Sequence, residues 1–233
     1  MLGNRTRSLT VIVPAAGIGQ RMQADRPKQY LSIMGKTVLE HTVFALLAHP
    51  SITKIVIALA SHDDYFSTLS LHLDSRVVTV IGGKERADSV LAGLAVVSDE
   101  WVLVHDAARP CVTASDIDLL IDSCFTSNES AILAIPVRDT MKQSTEFGTV
   151  DHTVDRRYLW HALTPQMMPT KCLRDCLVNG LKQGKTITDE ASALEGFGFQ
   201  SKLIQGRSDN LKITQPEDLA LAAFYLQQRG ITA

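Results

Sequence analysis

Residues 9–31 read LTVIVPAAGIGQRMQADRPKQYL, and the fold turns on what kind of loop follows the first six of them. Leu9 to Pro14 form a short, β-branched and almost wholly apolar run, the pattern of a strand covered on both faces. It runs into Ala15, Ala16, Gly17 and Gly19, small residues that let backbone N–H groups approach a phosphate closely. Gly17 and Gly19 begin a dinucleotide fingerprint, but Met22 stands where its third glycine belongs. The acid expected after the second strand is also missing, with Leu59-Ala60-Ser61 in its place. An NAD-binding site is therefore not expected. Arg21 and Lys28 place two cations around Pro27, so the stretch reads as a site for a phosphate chain rather than as a plain turn.

Working outward, KIVIAL (54–59), RVVTVI (76–81), WVLVHD (101–106) and AILAIPV (131–137) repeat the strand pattern. Between them, TVLEHTVFALLAH (37–49), ERADSVLAGLAVV (85–97) and SDIDLLIDSCF (115–125) carry apolar residues at helical spacing. Alternation of this kind predicts an α/β fold with a mostly parallel sheet flanked by helices. TQPEDLALAAFYLQQR (214–229) predicts a last helix with Thr214 as N-cap and Pro216 and Glu217 in its first turn. Residues at about 138–160 are polar and turn-rich, with stretches such as GTVDHTVDR, and predict a protruding hairpin arm. The chain is read as a single domain over 1–233 with that arm inserted.

Composition narrows the class. A formal charge of −2 removes the broad basic excess of a nucleic-acid binder, so any polyanion must be met by a few placed cations. No apolar run approaches the roughly 20 residues that span a bilayer, and no membrane association is expected. The apolar stretch after the basic N-terminus leads straight into the glycine loop, which favours a first strand over a signal peptide. Cys111, Cys124, Cys172 and Cys176 are too few for a disulfide framework. Cys172 and Cys176 fit one helical face, but no paired histidines accompany them, and ordinary core cysteines are expected. A cytoplasmic location fits these features.

In an open α/β sheet, ligands bind beyond the carboxyl ends of the strands. GGKERADS (82–89) follows the third strand, and its paired glycines let the chain pass close to a flat ligand or simply start a helix. HDAARP (105–110) follows the fourth. Asp106 there suits a Mg²⁺ ion, with Ala107 and Ala108 leaving room for it. His105 reads as a packed or hydrogen-bonding histidine, and Arg109 reads equally as a structural ion pair. DTMK (139–142), TVDRR (153–157), LTPQ (163–166), TITDEAS (186–192) and SDNLKIT (208–214) add hydroxyls and charges in predicted turns, each weak alone.

Taken in order, these pieces resemble a known family. PAAGIGQRM…RPKQYL is similar to the signature loop of nucleotidyltransferases that activate sugars or alcohols with a nucleoside triphosphate. GGKERADSVLAGL, VHDAARP, PVRDTMK, TVDR…LWHALTPQ, ITDEASALE and DNLKIT…PEDL narrow the resemblance to the methylerythritol phosphate cytidylyltransferases of the non-mevalonate isoprenoid pathway. It runs from about Thr10 to Leu226. The resemblance implies a Rossmann-like nucleotidyltransferase fold and transfer of CMP from CTP to 2-C-methyl-D-erythritol 4-phosphate with loss of pyrophosphate. It implies that Ala15, Ala16, Gly17 and Gly19 carry the triphosphate loop and that Arg21 and Lys28 neutralise the triphosphate. Gly83, Ala87, Asp88 and Ser89 match the cytosine and ribose pocket, and Asp106 matches the Mg²⁺ ligand. Arg109, Thr140, Arg156, Thr164, Thr188 and Lys212 match acceptor positions, with Arg156 and Lys212 among the catalytic cations. The arm resembles one exchanged in family homodimers, which would put Thr140 and Arg156 in the partner subunit's site. Lys84 stands where relatives often carry Asp, and Gln20 where a second Arg is common. A cytidylyltransferase for ribitol 5-phosphate is the nearer alternative, and a non-catalytic nucleotide-binding module the farther one.

Overall fold

The protein is described here from a computed structural model, over residues 8–17 and 25–231. The first strand, β1 (Leu9–Pro14), forms where its apolar run predicts. Two short strands, β2 (Ser32–Ile33) and β3 (Lys36–Thr37), pair antiparallel just before α1 (Val38–Leu47). The start of α1 is fixed by a capping box: Thr37 Oγ1 accepts from the Glu40 N–H, and the Glu40 carboxylate accepts from the Thr37 N–H. Next come β4 (Ile52–Leu59), β5 (Val77–Ile81), α2 (Arg86–Leu94) and β6 (Trp101–Val104). A Thr/Asp capping box, Thr113 with Asp116, opens α3 (Ala114–Ser127), and Asn128 closes it at φ 56° in the left-handed region.

After β7 (Ala131–Pro136) the chain makes the expected arm, a two-stranded hairpin of β8 (Met141–Ser144) and β9 (Val150–Val154). It then turns back through β10 (Trp160–Pro169) into α4 (Thr170–Lys182), α5 (Glu190–Glu195), β11 (Lys202–Gln205) and α6 (Glu217–Gln228). The sheet order is β11-β7-β10-β6-β1-β4-β5 among the described residues. All pairings in it are parallel except those of β10, which runs antiparallel to both β6 and β7.

The period-two geometry of β1 sorts its side chains into two layers. Leu9, Val11 and Val13 pack with α1 and α3 through Val43, Leu46, Ile117 and Leu120. Ile12 points the other way, into a core built by Val90 and Leu94 of α2 with Leu173 and Leu177 of α4. There α2 rides so close that a Cβ at Gly93 would stand 2.6 Å from Ile12 Cγ2. The last helix, α6, closes a third cluster with Ile33, Val38, Cys111 and Ile213. Its start differs from the sequence expectation. Thr214 is not the N-cap: Pro216 occupies that position, and the Thr214 N–H and hydroxyl both donate to the Asp218 carboxylate instead. Among the described residues no helix is long and apolar enough to cross a membrane.

Candidate active site

Three strand ends meet at the carboxyl edge of the sheet, where β1 lies between β6 and β4. The loop after β1 is held by a buried glutamine. Gln29 Nε2 donates to the carbonyls of Ala15 and Gly17, at 2.7 and 3.2 Å. On the far side, the paired glycines are there because nothing larger fits. A Cβ on Gly82 would stand 2.7 Å from Ser89 Oγ and 2.8 Å from the Ala16 Cβ, and one on Gly83 only 2.2 Å from the Asp88 Cβ. Ser89 then accepts from the Gly83 N–H at 3.2 Å, pinning the turn to the helix behind it.

Between these loops lies a cavity of about 250 Å³ lined by Ala15, Ala16, Gly17, Lys28, Gly83 and Ser89, with Arg86, Asp106 and Lys212 on its wall. A second cavity of about 250 Å³ adjoins it, lined by Arg109, Thr164, Gln166, Thr188 and Asp189. Arg86, Asp106 and Lys212 border both. The two cavities therefore adjoin at these three side chains.

Asp106 is the electrostatic centre of the pair. Its Oδ2 lies 3.0 Å from Lys212 Nζ and 3.3 Å from Arg109 Nε, and its Oδ1 3.3 Å from Arg86 Nε. Burial alone would raise its pKa, but the charges of Arg86, Lys212 and Arg109 outweigh burial and hold it far below the usual carboxylate range. Arg86 is also gripped by Glu190, which is 1% exposed, through two nitrogens at 2.6 and 3.0 Å. Arg109 donates further to the carbonyls of Asn210 and Ala162.

The backbone at Asp106 is fixed by a short relay. The Asp106 N–H donates to Thr164 Oγ1 at 3.0 Å, and the Thr164 hydroxyl lies 3.0 Å from His105 Nδ1. His105 Nε2 faces the Arg109 carbonyl at 3.1 Å, an acceptor only, so Nε2 carries the proton and Nδ1 accepts from Thr164. Burial drives the His105 pKa down to about 4, so the ring is neutral near pH 7. His105 is thus the hydrogen-bonding residue its sequence context implied.

Most of the positions proposed from sequence meet here: Ala15, Ala16, Gly17, Lys28, Gly83, Ser89, Asp106, Arg109, Thr164, Thr188 and Lys212. Several do not. Ala87 is buried in α2, and Asp88 accepts from the Glu85 N–H as a helix cap; neither lines a cavity. Thr140 and Arg156 lie on the exposed arm, away from both cavities, and Arg156 hydrogen-bonds the Arg138 carbonyl. Thr164 borders the second cavity, but its hydroxyl already serves Asp106 and His105. Gly19 and Arg21 lie outside the described residues. Sequence reading missed Arg86, Glu190, Gln29 and Gln166.

Among the described residues no three His, Cys, Asp or Glu side chains stand together as a metal cage. Magnesium needs none, since it is commonly held by one or two carboxylates with phosphate oxygens and water completing the shell. Asp106 fits an ion that arrives with a nucleotide.

The chain matches, over residues 9–228, a family model described as 2-C-methyl-D-erythritol 4-phosphate cytidylyltransferase. A protein of that name from Photobacterium profundum is 58% identical over 229 residues, covering 96% of this chain and 98% of the relative. One from Vibrio parahaemolyticus is 60% identical, covering 98% of this chain and 100% of the relative. Among solved structures, a 4-diphosphocytidyl-2C-methyl-D-erythritol synthase superposes with a TM-score of 0.81 at 34% identity, covering 94% of this chain and 99% of the other. The Francisella tularensis 2-C-methyl-D-erythritol 4-phosphate cytidylyltransferase gives 0.79 at 35% identity, covering 94% and 100%.

Proposed function

The chain belongs to the 2-C-methyl-D-erythritol 4-phosphate cytidylyltransferase family, and from that premise we propose how its residues divide the reaction. It is a nucleotidyltransferase that moves CMP from CTP to methylerythritol phosphate and releases pyrophosphate, a step of isoprenoid precursor synthesis. The observation that carries the assignment of roles is the pair of adjoining cavities with Arg86, Asp106 and Lys212 on their shared border. The loop side, with Ala15, Ala16, Gly17, Gly83 and Ser89, takes the nucleotide. The side with Arg109 and Thr188 takes the acceptor.

The acceptor phosphate is itself the nucleophile. A phosphate monoester has its second pKa near 6, so it is ionised at neutral pH and needs no general base. Its oxygen attacks the α-phosphorus of CTP in line, and the pyrophosphate leaves. The protein's task is to hold two anions together and to stabilise the crowded phosphorus between them, by position and charge. Lys28 and Arg21 serve the triphosphate, while Lys212 and Arg109 serve the acceptor phosphate. Asp106 is the protein's ligand for Mg²⁺, which when bound neutralises phosphate charge. Arg156 and Thr140, carried on the arm, reach the site of a second copy in a homodimer, and the enzyme works in the cytoplasm without a nucleic-acid or membrane partner.

The test is pyrophosphate release by the purified protein with CTP and Mg²⁺, comparing methylerythritol 4-phosphate with ribitol 5-phosphate. Release with the first alone is expected, and EDTA should stop it. Preference for ribitol phosphate would overturn the acceptor. For the dimer, an Arg156→Ala chain mixed with a Lys28→Ala chain should regain activity that neither has alone, and no recovery would overturn the shared site.

A further inference from the structure

Arg86 has no part in the division of labour just given, yet it stands at the border of both cavities. It opens α2, with Lys84 and the N-cap Glu85 between it and the paired glycines, and is gripped from two sides. Two of its nitrogens reach the Glu190 carboxylate at 2.6 and 3.0 Å, while Nε reaches Asp106 Oδ1 at 3.3 Å. Glu190 comes from α5, at a sequence separation of 104. The start of α5 is itself anchored: Gln166 of β10 donates to Asp189 Oδ2 at 2.9 Å and accepts from the Ala191 N–H at 2.9 Å.

An Arg–Glu pair with Glu190 buried and Arg86 half-buried is weak support for stability, because desolvation offsets most of the attraction. Its geometry does something else. A two-point fork fixes the plane of the guanidinium, and a fixed plane fixes the direction from which Nε meets Asp106. Arg109 and Lys212 hold the other oxygen. A carboxylate offers about four acceptor directions; Arg86, Arg109 and Lys212 occupy three, which leaves one for a bound group. Without Arg86, Oδ1 has no partner among the described residues and the carboxylate is free to turn toward Lys212.

We infer that Arg86, locked by Glu190, is a positioning residue that orients Asp106 for the transfer step, and that Glu190 acts only through Arg86. The inference deepens the proposed reaction and rests on it. Its test compares full-length wild type with Arg86→Lys, Glu190→Gln and the double variant Arg86→Gln/Glu190→Gln. The readouts are steady-state pyrophosphate release, calorimetric titration of Mg²⁺ into CTP-loaded protein, CTP binding in EDTA, and thermal melting. Outer-shell partners of a metal-binding carboxylate change affinity or rate about 10–100-fold when replaced. Lysine keeps the charge but offers a point rather than a fork. Arg86→Lys should therefore lower kcat and weaken Mg²⁺ binding by about tenfold or more, while CTP affinity in EDTA stays within about twofold. Glu190→Gln should give the same split. The double variant removes the unpaired buried charge, so it should melt close to wild type while kcat stays low. Wild-type kcat in folded Arg86→Lys or in the double variant would overturn the inference, as would a kcat that simply follows melting temperature across the series. Failure of the wild type itself to release pyrophosphate would instead overturn the reaction.

Discussion

Replacing Asp106 by asparagine changes almost nothing but charge, and the structure says how much that charge matters. Among the described residues three cations face Asp106: Arg86, Arg109 and Lys212. With Glu190 included, the cluster carries one net positive charge, and the substitution raises it to two. Removing one member of a buried ion pair costs about 3–5 kcal/mol. The lower end applies here, because the asparagine oxygen still accepts a hydrogen bond and Arg86 keeps Glu190. Lys212, with 37% of its side chain exposed, can also turn to water. Arg109 is the least able to escape, with its side chain 9% exposed and, among the described residues, the Asn210 and Ala162 carbonyls left to it. A loss of about 3 kcal/mol in a chain of this size lowers the melting temperature by about 6–12 °C. Because the folded-state pKa of Asp106 is depressed, its contribution is present above the unfolded value near 3.9 and lost as pH falls below it. Urea unfolding at several pH values should therefore show wild type more stable near neutrality and the gap closing in acid. Turnover should fall about a hundredfold or more. A variant that melts within about 2 °C of wild type at pH 7 would refute the claim that three cations depend on this carboxylate.

Lys28→Ala should fold, losing about 1–2 kcal/mol with its hydrogen bond to the Ile213 carbonyl, while pyrophosphate release drops about a hundredfold to a thousandfold. Near wild-type turnover would remove Lys28 from the chemistry. Gly93→Ala gains about 1 kcal/mol of helix propensity but pushes a methyl into Ile12, 2.6 Å away. Urea melts should show net destabilisation, and a stabilised variant would mean α2 is not seated so tightly on β1. His105, with its folded pKa near 4 against about 6.5 unfolded, takes up protons preferentially when the chain unfolds. Its contribution to stability should decline by about 3 kcal/mol as pH drops from 6.5 to 4. His105→Gln, compared with wild type across that range, should lack this decline; a constant gap between the two would contradict a neutral buried ring.

The parallel strands and the first loop were legible because their cause is local. Five apolar residues and Thr10, four of the six β-branched, make β1 whatever follows, and small residues after it leave a loop free of bulky side chains. The arm was legible for the same reason, as alternation broken by turn residues. The strand β10 was harder, since LWHALTPQ reads as a polar motif, and its partners Val104 and Ala134 lie far back in the chain. Its irregular pairing between Ala162 and Gln166 interrupts the period. The site divided in the same way. Lys28 and Asp106 announced themselves by following strands. Arg86 and Glu190 each sit at the first turn of a helix, where a charge is ordinary, and only the folded chain brings them together. Asp88 shows the converse: it stands in a suggestive motif, and the fold places its carboxylate in a helix cap.

The contacts that close the site join distant parts of the chain. Lys28 meets Ile213 across a separation of 185, Arg86 meets Glu190 across 104, and Arg109 meets Asn210 across 101. A chain emerging from the ribosome at about 5–20 residues per second therefore makes Lys28, Arg86, Asp106 and Arg109 long before these partners exist. Until α5 is made, Arg86 lacks Glu190, and until the segment beyond Asn210 follows, Asp106 lacks Lys212. The site is complete only when the segment with Asn210, Lys212 and Ile213 comes back to the strand ends.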